Sequence, residues 1–533
     1  MRNEVEVLVV GGGPVGLQTA LELQQHGVEP LVIDQRPRPD TWCKALGLTP
    51  RTLEVWDQCG VLLEALRRGC FFAGMDSSVD NGPVTREEVD APGMPYGFLS
   101  LAQYESEALL REAFARHGGR VEQGARLVDF DMRADGVVAR IATADGERKV
   151  ACRWLVGCDG AHSTVRHGLG LQYEGDAYEM TFMLGDVRLH WDRSHAYGHR
   201  FTQTENGELR NILVAIPVPG DPKRYRVSCA APMEQQEEGA DLSQPPTLEK
   251  LREVMSPILP PGTEMTDLVW SSYYRISHRI VSRYAKDRAF LVGDAAHIHP
   301  PIGGQGMNTG IQDAHNLAWK LALAVRGRAA SELLESYDAE RRPVGLDVVN
   351  RTTRRMDAGL ATGEIRFNQW LEDSQLFVNY RDSRWVSEDV APGALAAGPR
   401  PGDRAPDAGG LVRDWVATPL RIADLVRRPE HVLLLCFGAD AKEDDFTRVA
   451  ALADRLRERF ADEIAIWGIA QPGARAVELE RFPLLRDASG EFAEKYGARG
   501  TCLYLVRPDR YVGFRCDRHD LAALERALAR TFA

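Results

Sequence analysis

Three widely separated segments, each placing glycines directly after an apolar run, constrain the fold of this 533-residue chain most strongly. They are VVGGGPVG at 9–16, GCDGAHS at 157–163 and LVGDAAH at 291–297. The apolar runs predict buried parallel strands, and ligands of open α/β sheets bind beyond the carboxyl ends of such strands. We therefore predict an α/β fold in which one long ligand is contacted three times by the same chain.

The first segment lies within a predicted strand–turn–helix–strand unit. Its strands cover residues 5–10 and 30–34, and the helix between them covers 14–26. In such a unit Gly11 permits the tight turn, Gly13 lets the backbone approach a diphosphate, and Gly16 lets the helix pack closely on the strand. Asp34, at the end of the second strand, is placed to accept hydrogen bonds from a ribose diol. The unit predicts a dinucleotide site and by itself leaves NAD and FAD open.

The other two segments favour FAD. Asp159 and Asp294 each follow an apolar strand, so both acids are expected at the ligand-binding edge of the sheet. The proline- and glycine-rich run 297–308 then opens a predicted helix that ends near Arg326. A rigid turn with glycines at a helix start suits a flat ring laid against the backbone, as the flavin end of FAD would be.

With these motifs the chain resembles the flavoprotein aromatic hydroxylases, the single-component FAD monooxygenases typified by para-hydroxybenzoate hydroxylase. It is most similar to the branch of phenol, hydroxyphenylpropionate and polyketide hydroxylases with a C-terminal thioredoxin-like domain. The resemblance implies a Rossmann-like FAD-binding domain, an inserted, mostly β substrate domain and a thioredoxin-like α/β domain without a Cys-x-x-Cys pair. The corresponding ranges are 1–178 and 281–395 for the FAD-binding domain, 179–280 for the substrate domain and 396–533 for the thioredoxin-like domain.

The resemblance also implies which residues bind FAD. They are Gly11, Gly13, Pro14, Gly16, Asp34, Arg36, Lys44, Gln103, Asp159, Asp294, Pro301, Gly304, Gly306, Met307 and Asn308. Asp34, with Arg36 beside it, is implied at the adenosine ribose, and Asp294 at the ribityl chain. Asp159 is implied near the flavin and the path of the nicotinamide, and the residues from Gly304 to Asn308 along the pyrimidine edge of the flavin.

Two positions depart from the pattern of the family. Gln103 matches a glutamine that helps to hold FAD, but Lys44 and His162 each stand where an arginine is usual. A lysine offers a point charge in place of the bidentate fork of an arginine. Contacts to the diphosphate or flavin are therefore expected to differ at these two positions.

The activity that the resemblance implies is hydroxylation of an aromatic substrate, with phenols and polyketides as the expected classes. NADH or NADPH would serve as a transient co-substrate, O2 would supply the oxygen atom, and a flavin C4a-hydroperoxide would transfer it. The strands predicted between 179 and 280 should cover the substrate, and His190, Arg226 and Tyr273 are polar candidates there. No catalytic residue is assigned.

Composition excludes several other classes of protein. The net charge of −12 and the lack of a long Lys/Arg run argue against nucleic-acid binding, and no apolar stretch is long enough for a membrane span. Nine cysteines without a Cys-x-x-Cys pair argue against thiol-redox chemistry and favour the cytoplasm. His297 and His299 converge poorly with Asp294, so no metal site is predicted. These observations are also compatible with a homodimer.

Two alternatives stay open at this stage. One is another FAD-dependent oxidoreductase of the same superfamily, although the Trp-x-Trp-x-Ile-Pro signature of flavin halogenases is missing from the sequence. The other is a catalytically silent flavoprotein that binds an aromatic compound. The identity of the substrate and the choice between NADH and NADPH are not readable from the residues.

Overall fold

The computed structural model describes residues 3–39, 41–89, 93–236, 241–362, 369–439, 441–460, 463–474 and 482–533. Its strands before residue 200 are β1 Glu4–Val10, β2 Leu31–Asp34, β3 Gly47–Leu48, β4 Cys70–Phe72, β5 Gly74–Val79, β6 Thr85–Glu88, β7 Phe98–Ser100, β8 Val121–Gln123, β9 Arg126–Met132, β10 Val137–Thr143, β11 Gly146–Gly157, β12 Tyr173–His190 and β13 Tyr197–Glu205. The later strands are β14 Glu208–Pro217, β15 Arg224–Ala230, β16 Glu264–Val281, β17 Ala285–Lys286, β18 Ala289–Leu291, β19 His297–Ile298, β20 Ser387–Asp389, β21 Leu411–Val412, β22 His431–Phe437, β23 Ile464–Ala470, β24 Leu484–Asp487, β25 Cys502–Val506 and β26 Val512–Cys516.

The helices are α1 Pro14–Gln25, α2 Pro50–Gln58, α3 Leu62–Arg68, α4 Gln103–Arg116, α5 Thr164–Gly168, α6 Leu248–Met255, α7 Gln305–Val325, α8 Glu335–Thr362, α9 Trp370–Asp373, α10 Ile422–Leu425, α11 Glu443–Phe460, α12 Glu491–Lys495 and α13 Leu521–Leu528. The predicted helix from the third segment to Arg326 corresponds to α7. Within the described part of the chain, every helix is too short or too polar to serve as a membrane span.

The first sheet brings the three sequence segments together. Strands β18, β11, β1, β2 and β8 run parallel in this order, and β17, β10 and β9 pair at its margins. Val10 pairs with Gly157, and Gly157 pairs with Leu291, so the three strands end side by side. Helices α1 and α7 pack on each other beside this sheet. The loops after β1, β11 and β18 therefore meet at one edge, as the sequence predicts.

The second sheet is mostly antiparallel and has the order β19-β16-β12-β15-β14-β13-β5-β6. Its central strands come from the predicted segment 179–280, but β5 and β6 come from residues 74–88. Strand β5 joins by pairing parallel with β13, a long-range pairing that sequence periodicity does not show. One face of the sheet packs on α6, through side chains such as Met183, Val227 and Leu251. The other face is free to cover a ligand.

The C-terminal sheet has the order β20-β26-β25-β22-β23-β24-β21, and a small sheet β3-β7-β4 lies earlier in the chain. Strand β22 pairs parallel with β23 and antiparallel with β25, which pairs antiparallel with β26. With α11 between β22 and β23 and α13 after β26, this is the thioredoxin-like arrangement predicted from the sequence. Trp319 and Leu323 of α7 belong to the apolar core of this domain, so it packs directly on the helix that leads from the third segment.

Candidate active site

A cavity of about 1910 Å³ extends from the carboxyl edge of the first sheet to the free face of the second sheet. Asp34 and Arg36 line one end of it, and Tyr274 and Trp370 line the other. Pockets for a single small ligand are usually about 300–1,000 Å³. The cavity therefore has room for two ligands, one long enough to reach all three segments and one under the second sheet.

The glycine turn after β1 fits a diphosphate group. Gly11 has φ +107°, and a Cβ there would lie 2.3 Å from the Cys158 carbonyl oxygen. A Cβ on Gly16 would lie 1.9 Å from the Gly11 carbonyl oxygen, so α1 packs on the turn as closely as the sequence predicts. Gly13, the N-cap residue of α1, makes no side-chain cap and lines the cavity, and Pro14 follows at the first helical position. The free amides and the positive end of the α1 dipole thus face the cavity.

Asp34 is held firmly at the end of β2. Its carboxylate accepts hydrogen bonds from the Gly12 amide at 2.7 Å and from the Arg36 amide and Nε at 2.8 and 3.0 Å. Burial would raise the pKa of Asp34, but the hydrogen bonds and charge of Arg36, together with the Gly12 amide, outweigh burial and lower it. The carboxylate is therefore ionised and oriented along the turn at this end of the cavity.

Asp294 lies in the loop after β18, and its carboxylate faces the cavity. Within the described residues this carboxylate has no hydrogen-bond or ion-pair partner, and only the backbone carbonyl of Asp294 is bonded, by the Tyr173 hydroxyl. Burial by the surrounding protein raises the pKa of Asp294, opposed by the charges of His297 and Lys44. The Asp294 side chain is exposed to the open cavity, so this unpaired acceptor fits a ligand that fills the cavity and supplies hydroxyl groups.

Asp313 on α7 fixes the peptide that carries Asp294. Its Oδ2 accepts a hydrogen bond from the Gly293 amide at 3.2 Å and lies 2.7 Å from His297 Nε2. Its Oδ1 accepts from Arg341 Nε at 2.7 Å, and the side chains of all three are fully buried. Asp313 and Arg341 were not predicted from the sequence. Asp313 is a charged residue on the apolar face of the predicted α7, and buried charged residues are almost always paired. This position could therefore have indicated a buried ion pair.

The second segment is organised differently. Asp159 lines the cavity, but its carboxylate accepts from Ser163 Oγ at 2.5 Å and from the Val165 amide at 3.1 Å. These bonds shape the loop at the start of α5, and burial raises the pKa of Asp159 despite them. His162 in the same loop is exposed and lines the cavity. The ligand-facing part of this segment is therefore backbone together with His162.

The proline- and glycine-rich run forms the floor of the cavity between β19 and α7. Pro301, Gly304, Gly306 and Met307 line the cavity, and Gly304, the N-cap of α7, has φ +64°. Asn308 lies beneath this floor and is fully buried. Its amide donates to the carbonyls of Gly47 and Gly304 at 2.9 and 2.6 Å, and its Oδ1 accepts from the Thr49 amide at 3.0 Å. The Asn308 side chain thus holds the turn in place without lining the cavity.

Gln103 and Lys44 frame the cavity on the side of the small sheet. Gln103 accepts from the Ala45 amide at 3.0 Å and donates to Glu107 at 3.0 Å, which ties α4 to the segment that carries Lys44. The Lys44 ammonium has no hydrogen-bond or ion-pair partner among the described residues and lines the cavity with Asp294. An exposed point charge is thus available at the position where the family pattern has an arginine.

The free face of the second sheet forms the roof of the cavity. Strand register puts one set of side chains on this face: Phe182, Leu184, Ile212, Val214, Ile216, Ser228, Trp270, Ser272 and Tyr274. Most are apolar, and Tyr274 Oη and Ser228 Oγ, 3.1 Å apart, form a polar spot among them. Trp370 packs edge-on against Phe72 and at a tilt against Phe98, and closes this end. The roof suits a flat, largely apolar compound with a hydroxyl or carbonyl group.

The three polar candidates from the sequence lie in different environments. Arg226 lines the cavity, but it is buried and donates to both Asp186 oxygens at 2.8 and 2.9 Å. Tyr273 packs with the α6 core on the opposite face of the sheet, and it also borders the cavity. His190 is not among the cavity-lining residues, and its Nε2 lies 3.0 Å from Thr266 Oγ1. Successive side chains of a strand point to opposite faces of the sheet, and the sequence alone does not show which face borders the cavity.

No group of three or more His, Cys, Asp or Glu side chains is arranged to hold a metal ion within the part of the chain that the structure describes. His297 and His299 stack on each other with ring centroids 6.0 Å apart. His297 is engaged with Asp313, and His299 Nδ1 lies 3.3 Å from the Pro300 carbonyl oxygen. The two imidazoles support the floor of the cavity.

Four buried histidines should make the protein sensitive to acid. Burial lowers the pKa of His26 and His199 to about 4, and the pKa of His299 and His431 to about 3. The unfolded chain takes up these protons near pH 6.5, so the free energy of unfolding falls as pH drops below that value, by up to about 1.4 kcal/mol per pH unit for each histidine. We expect the melting temperature to fall steadily between pH 7 and pH 5. A His431→Gln variant should fall less steeply, and a variant of the exposed His117 should match wild type; equal slopes for all three would contradict this.

Comparison with known proteins identifies the family. The model of the FAD binding domain family matches residues 4–352, and the model described as aromatic-ring hydroxylase, C-terminal, matches residues 398–533. Pentachlorophenol 4-monooxygenase of Sphingobium chlorophenolicum is 30% identical over 545 residues, covering 97% of this chain and 95% of that protein. The 6-methylpretetramide 4-monooxygenase of Streptomyces rimosus is 37% identical over 351 residues, covering 65% of this chain and 61% of that protein.

Solved structures agree over the whole length. The ternary complex of aklavinone-11 hydroxylase with FAD and aklavinone has a TM-score of 0.81 and 26% identity, covering 99% of both chains. The anhydrotetracycline hydroxylase OxyS of Streptomyces rimosus has a TM-score of 0.72 and 27% identity, with the same coverage. These matches confirm the resemblance, the α/β fold and the cofactor that the sequence predicts. The chain belongs to the FAD-dependent aromatic-ring monooxygenases.

Proposed function

We propose that this enzyme hydroxylates an aromatic compound bearing a phenolic or carbonyl oxygen, using O2 and NADH or NADPH. The observation that carries the proposal is the single cavity that joins the unpaired Asp294 carboxylate to the apolar roof with its polar spot. When bound, FAD supplies the chemistry that the side chains lack, acceptance of hydride from the nicotinamide and activation of O2. The protein binds, orients and shields the reactants.

We assign the FAD contacts from the geometry of the cavity. Asp34 and Arg36 would hold the adenosine ribose. The backbone amides at the start of α1 would bind the diphosphate, and the turn that presents them is shaped by Gly11, Gly13, Pro14 and Gly16. Asp294 would accept hydrogen bonds from the ribityl hydroxyls. Lys44, Gln103, Asp159 and Pro301 would frame the cofactor at its sides, and Asn308 would act from below by holding Gly304.

The N-terminus of α7 is the part of the site that would stabilise negative charge on the cofactor. Gly304, Gly306 and Met307 present backbone to the cavity, and the helix N-terminus carries no side-chain cap. Its amides and the positive end of its dipole would stabilise the negative charge that collects on a flavin on reduction. The apolar roof would exclude water from the reacting centre.

The substrate class follows from the roof and the space beneath it. A cavity of about 1910 Å³ leaves a large volume beyond FAD, and its walls at that end are aromatic and aliphatic. The relatives whose names specify tetracycline-type or chlorinated phenolic substrates support an aromatic substrate with oxygen substituents. We infer that a flat polyketide or a substituted phenol binds beneath Tyr274 and Ser228.

The decisive experiment is a screen for substrate-stimulated oxidation of NADH and NADPH. Purified protein should be yellow, and a panel of phenols and aromatic polyketides should include compounds that accelerate oxidation and gain one oxygen atom by mass spectrometry. A flavoprotein that only binds aromatics would show binding without stimulation. Stimulated oxidation without an oxygenated product would indicate a different FAD-dependent reaction.

Two adjacent tyrosines allow a matched test of the roof. Tyr274→Phe removes the hydroxyl beside Ser228, and an unmade hydrogen bond to a substrate oxygen costs about 1–3 kcal/mol, or roughly 5- to 150-fold in kcat/KM. Tyr273→Phe changes a ring that packs mainly on the α6 core, although it also borders the cavity, and should lower kcat/KM far less than Tyr274→Phe. Both are measured with a substrate found in the screen. Equal kcat/KM for the two variants would contradict a substrate contact at Tyr274.

A further inference from the structure

The turn between β25 and β26, residues 507–511, carries three charged residues and a tyrosine into the protein interior. Arg507, Asp509, Arg510 and Tyr511 are each at most 4% exposed. Charged side chains are almost never buried to this extent unless they are paired. Arg507 pairs with Asp509 inside the turn, and the turn also contacts residues outside the C-terminal domain, on α2, α7 and α8 and at Tyr380.

The first connection runs to α7 and α8. Arg507 donates to both oxygens of Glu340 on α8, at 2.7 and 2.9 Å. Glu340 also accepts from Lys320 and Asn316 of α7, at 2.7 and 2.8 Å, and Asn316 donates to Asp509 at 3.2 Å. The turn and the two helices thus share one buried network of charges.

A second connection runs to α2. The Asp509 carbonyl accepts from Arg51 Nη2 at 2.8 Å, and the Pro508 carbonyl accepts from Gln58. The residue before α2, Thr49, donates its amide to Asn308 in the first turn of α7. The same C-terminal turn therefore reaches the floor of the cavity from a second side.

A third connection leads to the peptide that carries Asp294. The rings of Tyr511 and Tyr380 lie 4.3 Å apart between centroids, and the Tyr380 hydroxyl accepts from Arg341 Nη1 at 3.0 Å. Arg341 in turn donates to Asp313, which accepts from the Gly293 amide. Four successive contacts, through Tyr380, Arg341 and Asp313, therefore link the C-terminal turn to the loop of Asp294.

We propose that the 507–511 turn is a positioning element for the FAD site, through which the C-terminal domain sets the placement of α7 and of the loop that carries Asp294. This assigns to the thioredoxin-like domain a role in the affinity and electronic environment of the flavin, in place of thiol chemistry. A domain that only added mass or an oligomer interface would not need three buried charges among the helices around the cofactor. The inference rests on the proposed function in taking FAD as the ligand.

The test compares two substitutions of Tyr511. Tyr511→Ala removes the ring that packs on Tyr380, whereas Tyr511→Phe keeps the ring and loses a hydroxyl that has no partner among the described residues. We expect Tyr511→Ala to raise the FAD dissociation constant at least tenfold and to shift the reduction potential and visible spectrum of the bound flavin. Tyr511→Phe should match wild type in all three. Arg486→Ala, which breaks an exposed ion pair within the C-terminal domain, controls for effects of that domain alone.

A milder variant decides the matter if Tyr511→Ala does not fold. Tyr380→Phe removes only the hydroxyl that binds Arg341, and it should raise the FAD dissociation constant several-fold and shift the flavin potential in the same direction. Wild-type values for a folded Tyr511→Ala, or for Tyr380→Phe when Tyr511→Ala is unfolded, would overturn the inference. Wild-type protein that takes up no FAD would instead contradict the proposed function.

Discussion

A Gly16→Ala variant should be recovered without FAD. The new Cβ would lie 1.9 Å from the Gly11 carbonyl oxygen and 3.3 Å from the Cys158 Cβ. The closer atom is backbone of a turn that is itself confined, because a Cβ on Gly11 would meet the Cys158 carbonyl at 2.3 Å. Neither strand nor turn can move without displacing the other, so α1 must shift away from β1. We expect at least a 100-fold loss of FAD affinity, about 2.8 kcal/mol.

Two other glycines of the same unit provide controls. Gly13→Ala has extended backbone and no protein atom within 4 Å of the added Cβ, so the fold should persist while the methyl group obstructs the diphosphate. Gly27→Ala lies at the far end of α1 with φ +78° and open space, and it should cost about 1–2 kcal/mol of stability with unchanged FAD affinity. Affinity is measured by flavin fluorescence on adding FAD to apoprotein. Wild-type affinity for Gly16→Ala would remove the main support for a diphosphate at this turn.

Arg341→Met should lower the free energy of unfolding by about 3–5 kcal/mol, because it leaves the buried Asp313 carboxylate without its cation. Burial pushes the pKa of Asp313 upwards, and Arg341 and His297 together bring it below the ordinary value. Without Arg341, the Asp313 carboxylate is expected to take up a proton or to move. Either change weakens its hydrogen bond to the Gly293 amide. FAD affinity should fall together with stability.

The measurements are thermal unfolding of the apoprotein and an FAD titration. Asp414→Asn is the matched control, since it breaks an Arg–Asp pair in which both side chains are more than half exposed and such pairs contribute about 0–1 kcal/mol. The prediction fails if Arg341→Met unfolds like Asp414→Asn. Loss of stability with unchanged FAD affinity would show that Asp313 does not control the loop of Asp294.

Local patterns were sufficient to predict the parts of the site that depend on neighbouring residues. The turn from Gly11 to Gly16, the acid at Asp34 and the helix from Gln305 follow from strand, cap and glycine rules that act over a few residues. The meeting of the three segments follows from parallel pairing, which places the carboxyl ends of strands at one edge. These elements were predicted with boundaries within a few residues of those observed.

The remaining features depend on contacts between distant residues. Asn308 was expected to face the flavin, but its amide is satisfied by Gly47 and Gly304 from below. Asp313 was missed because its partners, Gly293 and Arg341, lie 20 and 28 residues away along the chain. The hydrogen-bond partner of a buried polar side chain depends on how distant parts of the chain pack together. Sequence periodicity does not indicate that partner.

Strands β12, β14, β15 and β16 serve two purposes with alternate residues. Side chains such as Met183, Leu213 and Val227 hold α6, and their neighbours such as Phe182, Val214 and Tyr274 roof the ligand space. A substitution on the roof therefore leaves the packing behind it largely intact, and cofactor contacts come from other loops. Descendants of such a chain can acquire new chemical preferences one roof position at a time while retaining a foldable scaffold and a working redox centre.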